Sequence, residues 1–142
     1  YTTLFRSEAA ARPVVVAGSV GPTGELFAPL GELTHDVAVA SFAEQMRGLR
    51  DGGVDVAWIE TLSSTEELNA AAAASIEVGL PYVVTCSFDT AGRTMMGVLP
   101  DELDGIVARQ PVAPLAIGAN APFVDGIAYF LSELKITFSG FH

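Results

Sequence analysis

The stretch Val54–Thr65, V-D-V-A-W-I-E-T-L-S-S-T, decides the fold. Its first half, Val54 to Ile59, is rich in β-branched and aromatic residues and reads as a buried strand. Glu60 stands where this apolar run ends, ahead of small polar residues and a helix start. In β/α proteins the carboxyl edge of a parallel sheet is where the chemistry is placed. Glu60 is therefore the first candidate site residue. Its plainer reading is a turn residue whose charge reaches solvent.

Upstream, Val14–Ala17 is a short apolar run that reads as another strand, after the helix-breaking Pro13. It leads into Gly18-Ser-Val-Gly-Pro-Thr-Gly24, a predicted tight loop whose backbone N–H groups can point at an anion. The glycine spacing is neither G-x-G-x-x-G nor that of a phosphate loop, since no Lys follows Gly24. A structural turn is the alternative reading. Thr34 is a predicted N-cap, and Val39, Phe42, Ala43, Met46 and Leu49 keep helical spacing up to Gly52-Gly53. His35, at this helix entry with no Cys or second His nearby, reads as a surface or capping residue.

Downstream, Ser64-Thr-Glu-Glu67 fits a capping box that opens a helix running to Gly79, with Ala70–Ala74 small enough for close approach to a sheet. Pro81 stops it, and Tyr82–Cys86 reads as the next strand, followed by the polar loop Ser87–Arg93. Cys86, in an apolar setting, reads as an inert core thiol. A further helix is expected over Glu102–Ala108 and a fourth strand over Leu115–Gly118, which ends in Ala119-Asn120-Ala121.

Composition sets the outer limits. The 142 residues are about one domain's worth of chain. Half are hydrophobic, yet no apolar run is long enough to span a membrane. A net charge of −10 argues against a nucleic-acid partner and fits a cytoplasmic protein. The single cysteine excludes an internal disulfide framework and any zinc site built from several thiolates of this chain. Tyr1–Glu8 has no secretory pattern, and the lack of an initiating Met is read as the mark of an internal fragment.

Beyond a long first interval, the strand starts recur at close to the roughly 30 residues per unit of a (β/α)₈ barrel. The expected class is α/β, a partial TIM barrel of about four βα units. A flavodoxin-like or Rossmann sheet would alternate similarly. Polar loops after every strand and the missing nucleotide fingerprint favour the barrel. Sequential strand order, with helices on one face, is the expectation.

The loops V-A-G-S-V-G-P-T-G-E, W-I-E-T-L-S-S-T-E-E, S-F-D-T-A-G-R-T-M-M-G-V and I-G-A-N resemble those of the homocysteine S-methyltransferase family, most closely the bacterial betaine–homocysteine type. The resemblance covers about Pro13 to Asn120 and implies the third to sixth strands of the family barrel. It implies transfer of a methyl group from a small activated donor such as betaine to the sulfur of homocysteine, giving methionine. It also implies a zinc ion held by three cysteine thiolates, which makes the homocysteine sulfur a thiolate at neutral pH. By the same resemblance, Glu60 receives the substrate's ammonium group, and Asn120 belongs to the substrate-binding motif.

The departures are specific. The family's first zinc cysteine follows the Gly-Ala-Asn motif, where this chain has Ala121, and the family's later Cys pair has no counterpart here. No metal is therefore expected to bind this stretch, which is read as inactive alone. Segments 1–12 and 121–142 carry no family motif and are read as flanking a 13–120 domain and foreign to it. Half a barrel would leave apolar faces uncovered, so self-association is expected. A non-catalytic α/β scaffold that binds an amino acid or partner chain without metal is the competing reading.

Overall fold

The computed structural model describes residues 14–120, and the expectations for 1–12 and 121–142 lie outside the described residues. Strands β1 (Ala17–Val20), β2 (Val56–Leu62), β3 (Tyr82–Ser87) and β4 (Ala116–Asn120) alternate with helices α1 (His35–Asp51), α2 (Thr65–Val78) and α3 (Pro100–Val107). All neighbouring strands pair in parallel, in the order β1-β2-β3-β4.

The helices begin and end where local chemistry directs. The Thr34 hydroxyl accepts the Val37 N–H at the start of α1, and the Ser64 hydroxyl accepts the Glu67 N–H at the start of α2. Gly79 closes α2 in the left-handed conformation at φ 72°, with its N–H on the last turn's carbonyls. His35 is the exposed first residue of α1, in keeping with a surface role.

Alternation in the strands decides which face the helices cover. Gly18 and Val20 of β1 are buried, whereas Ala17 and Ser19 are exposed. Val20, Ala57, Ile59 and Val84 pack in one cluster with Ala38, Phe42 and Met46 of α1 and Leu68 of α2. Burying a side chain such as Ile59 or Leu68 stabilises by about 1.5–3 kcal/mol, enough to fix the register of each strand. Ala70, Ala71, Ala72 and Ala74 are all fully buried, so α2 approaches the sheet closely. α1 packs on α2 and α2 touches α3, giving a single helical layer. The other face, carrying Ser19 and Trp58, has no helix among the described residues. This is a partial TIM-barrel-like βα repeat and not a doubly wound sheet.

Several expectations need correction. The first strand is Ala17–Val20 and not Val14–Ala17, because pairing begins only at Ala17 opposite Val56. Before that point Asp55 caps the approach: its carboxylate accepts the Val16 N–H, and its own N–H donates to the Val16 carbonyl. Val15 is left 67% exposed. Gly18 and Ser19 thus belong to the strand and not to the loop. The third helix starts earlier, at Pro100, where the Glu102 carboxylate accepts the Leu99 N–H. β4 extends through Asn120, which is a strand residue and not part of the following loop.

Candidate active-site edge

Glu60 lies inside β2, two residues short of its end at Leu62, whereas the apolar run that reads as the strand stops at Ile59. The reason is a β-bulge. Ile59 pairs with Val84 and Leu62 with Cys86, so β2 fits one more residue than β3 between the same two rungs. Thr61 absorbs the extra length at φ 67°. A β-branched residue in that region carries about 1–2 kcal/mol of steric strain, so its surroundings must hold it there.

Neighbouring strands supply that hold. The Asn120 side-chain amide donates to the Thr61 hydroxyl at 3.0 Å, reaching from β4 across the end of β3. The Thr85 hydroxyl donates to the Ile59 carbonyl at 3.5 Å, beside the register shift. From β1, the Ser19 hydroxyl donates to Glu60 Oε1 at 2.5 Å, and Gln45 of α1 donates to the Ser19 carbonyl at 3.3 Å. Glu60 is half-buried, and neither ion pair among the described residues, Arg47–Glu77 or Arg50–Asp51, involves it. The carboxylate stands at the carboxyl edge of the sheet, and among the described residues no cation pairs with it. Glu60 and Asn120, read separately from the sequence, meet there through Thr61.

The glycine loop does receive an anion, but from the chain itself. The Thr23 N–H and hydroxyl both donate to Glu67 Oε1, each at 2.8 Å, and Glu67 is only 5% exposed. The capping box is accordingly half realised. Ser64 caps Glu67, while the Glu67 side chain turns to the loop and not back to Ser64. Fixing a backbone donor in another loop satisfies more of the buried polar groups than closing the box would. The following loops are tied in turn: the buried Thr94 hydroxyl donates to the Ser63 carbonyl at 2.6 Å and accepts the Val98 N–H at 3.0 Å. A pocket of about 100 Å³ beside Glu67, walled by Leu26, Phe27, Leu30 and Met96, is smaller than the usual few hundred Å³ of a ligand site.

The residues here do not make a zinc site. Among the described residues no three His, Cys, Asp or Glu side chains gather to hold a metal. Cys86 is buried in β3, and desolvation pushes its thiol up to about 12, so it stays protonated at neutral pH.

Sequence reasoning missed Ser19, Thr61 and the loop-holding role of Glu67. Ser19 carried a signal, because strand alternation from Val20 places it on the Glu60 face. Thr61 carried none, since nothing in the sequence marks a threonine for positive φ.

Two comparisons bear on this edge. The homocysteine methyltransferase MmuM from Escherichia coli, in its apo form, superposes with a TM-score of 0.72 at 21% identity, over 92% of this chain and 47% of that one. This likeness is one of fold, and the chain spans about half the length of that protein. The family model for homocysteine S-methyltransferases matches residues 3–140, which include all four strands and the edge that carries Glu60 and Asn120. By that match, the chain belongs to the homocysteine S-methyltransferase family.

Proposed function

We propose that this chain carries the amino-acid-recognition edge of an enzyme that methylates the sulfur of homocysteine, with Glu60 receiving the substrate's ammonium group. One observation supports this most: a carboxylate at the carboxyl edge, oriented by Ser19 and free of any cation among the described residues. Its Oε1 accepts the serine hydroxyl, and an ammonium group can approach Oε2. In the complete reaction a small donor such as betaine gives its methyl group to sulfur and the thiol proton leaves, forming methionine. A cytoplasmic setting accords with the acidic composition, and no described helix is long and apolar enough to cross a membrane.

Zinc chemistry is assigned only to the complete protein. When bound, the metal would supply a thiolate nucleophile from homocysteine. The described residues lack a donor set for it, and position 121 holds alanine, so this stretch alone is expected to be inactive. That alanine also favours the second reading, a scaffold that binds an amino acid without metal.

The test is homocysteine affinity by calorimetry in the full-length protein. Glu60→Gln should weaken binding by about 10- to 100-fold, the loss of one charge-assisted hydrogen bond. Unaltered affinity would overturn the assignment. Zinc content by elemental analysis separates the enzyme from the metal-free scaffold.

A further inference from the structure

We infer that Asn120 acts on substrate binding through Thr61 and not by touching the substrate, so that Thr61 and Asn120 are positioning residues for Glu60. This rests on the reading of Glu60 given above. The Asn120 amide is already engaged: its Nδ2 donates to the Thr61 hydroxyl at 3.0 Å. Thr61 directly follows Glu60 and holds the strained φ of 67° that accommodates the bulge.

Alternation puts Glu60 on the open face with Trp58, and the bulge at Thr61, directly after it, returns Leu62 to the buried face. In a regular strand, successive side chains alternate between faces, and an extra residue breaks that alternation locally and re-aims a side chain. If Thr61 relaxed to ordinary extended backbone, the Ile59–Leu62 segment would lose its register against Val84 and Cys86. The backbone that carries Glu60 would then lose its anchor on the C-terminal side. Asn120 opposes this relaxation by fastening Thr61 to β4, and Ser19 fixes the carboxylate from β1. Glu60 and the residue after it are thus tied from both sides, the carboxylate to Ser19 of β1 and the Thr61 hydroxyl to Asn120 of β4. Side-chain ties of this kind preorganise a binding group that would otherwise lose rotamer freedom on binding.

The test uses the full-length protein, with homocysteine affinity read by calorimetry and stability by urea unfolding. Thr61→Val keeps the branched shape and removes the hydroxyl acceptor, and Asn120→Ala removes the donor. Each should weaken homocysteine binding by about five- to tenfold, the worth of one hydrogen bond. The double variant should lose no more than either single one, because both remove the same bond. Thr61→Ser restores the acceptor and should recover most of the lost affinity, which a loss of general packing would not do. Glu60→Gln is the reference. If it binds weakly while Thr61→Val and Asn120→Ala bind as wild type, the positioning role is overturned and the role of Glu60 stands. If Glu60→Gln itself binds as wild type, both fall. Additive losses in the double variant would overturn the coupling and return Asn120 to direct substrate contact.

Discussion

The Glu67 carboxylate accepts both the backbone N–H and the hydroxyl of Thr23, each at 2.8 Å, and so ties the loop after β1 to the first turn of α2. Because Glu67 is almost fully buried, its removal leaves the Thr23 donors facing a void. Glu67→Ala should destabilise the fold by about 2–3 kcal/mol, the range for losing hydrogen bonds to a buried charged acceptor. Glu67→Gln should be milder, since its amide oxygen can accept the same donors. Urea unfolding curves at neutral pH measure both, and an Ala variant as stable as wild type would remove Glu67 from the structural account.

Gly18 is required by closeness and not by its backbone angle. A Cβ built there would lie 3.0 Å from both methyls of Leu49 and from a methyl of Val54. Gly18→Ala should therefore destabilise by about 1–3 kcal/mol through overpacking of α1 against β1. Leu49→Ala, in the same chain as Gly18→Ala, should restore part of that loss. A double-mutant cycle by chemical denaturation checks the coupling.

Alkaline pH should loosen the core. Burial pushes the Cys86 thiol from 9.0 to about 12 and the Tyr82 hydroxyl from 10.0 to about 12. In the unfolded chain both groups release protons at their ordinary values, whereas the folded chain holds them. The unfolded state then binds fewer protons, and stability falls as pH rises. This contribution is fully present below pH 9 and is lost as pH climbs towards 12. Urea midpoints should drop between pH 8.5 and pH 11, about 0.5 and 1 unit beyond the lower and upper ordinary values, and Cys86→Ala should flatten part of the slope. Thiol-directed alkylation at pH 8 should label the chain only after unfolding, about 1 unit below the ordinary thiol value.

Trp58 is 40% exposed on the face that carries no helix among the described residues. The 142-residue chain by itself should self-associate through this face. Apolar area buried there is worth about 25 cal/mol per Å², and the acidic surface opposes contact only weakly at physiological salt. Sedimentation velocity over a range of concentrations checks it, and Trp58→Ser should shift the distribution towards monomer. A compact monomer at every concentration would count against it.

The sequence by itself determined the βα alternation, the caps at Thr34 and Ser64, the stop at Gly79 and the family. These are local matters: hydrophobic period, a hydroxyl at a helix start and a glycine at a left-handed position are each written within a few residues. It also marked Glu60 and Asn120, though as separate residues at two strand ends. Only the tertiary structure decided how they meet. The register of β2 against β3 fixes the bulge, the bulge puts Thr61 at positive φ, and Thr61 then accepts the Asn120 amide. The same holds for Glu67, whose place in the first turn of α2 was legible, but whose side chain reaches the glycine loop and not Ser64 as a capping box would have it. Pairing between strands and the packing of one loop on another are long-range, and no spacing along the chain encodes which donor a buried carboxylate will find.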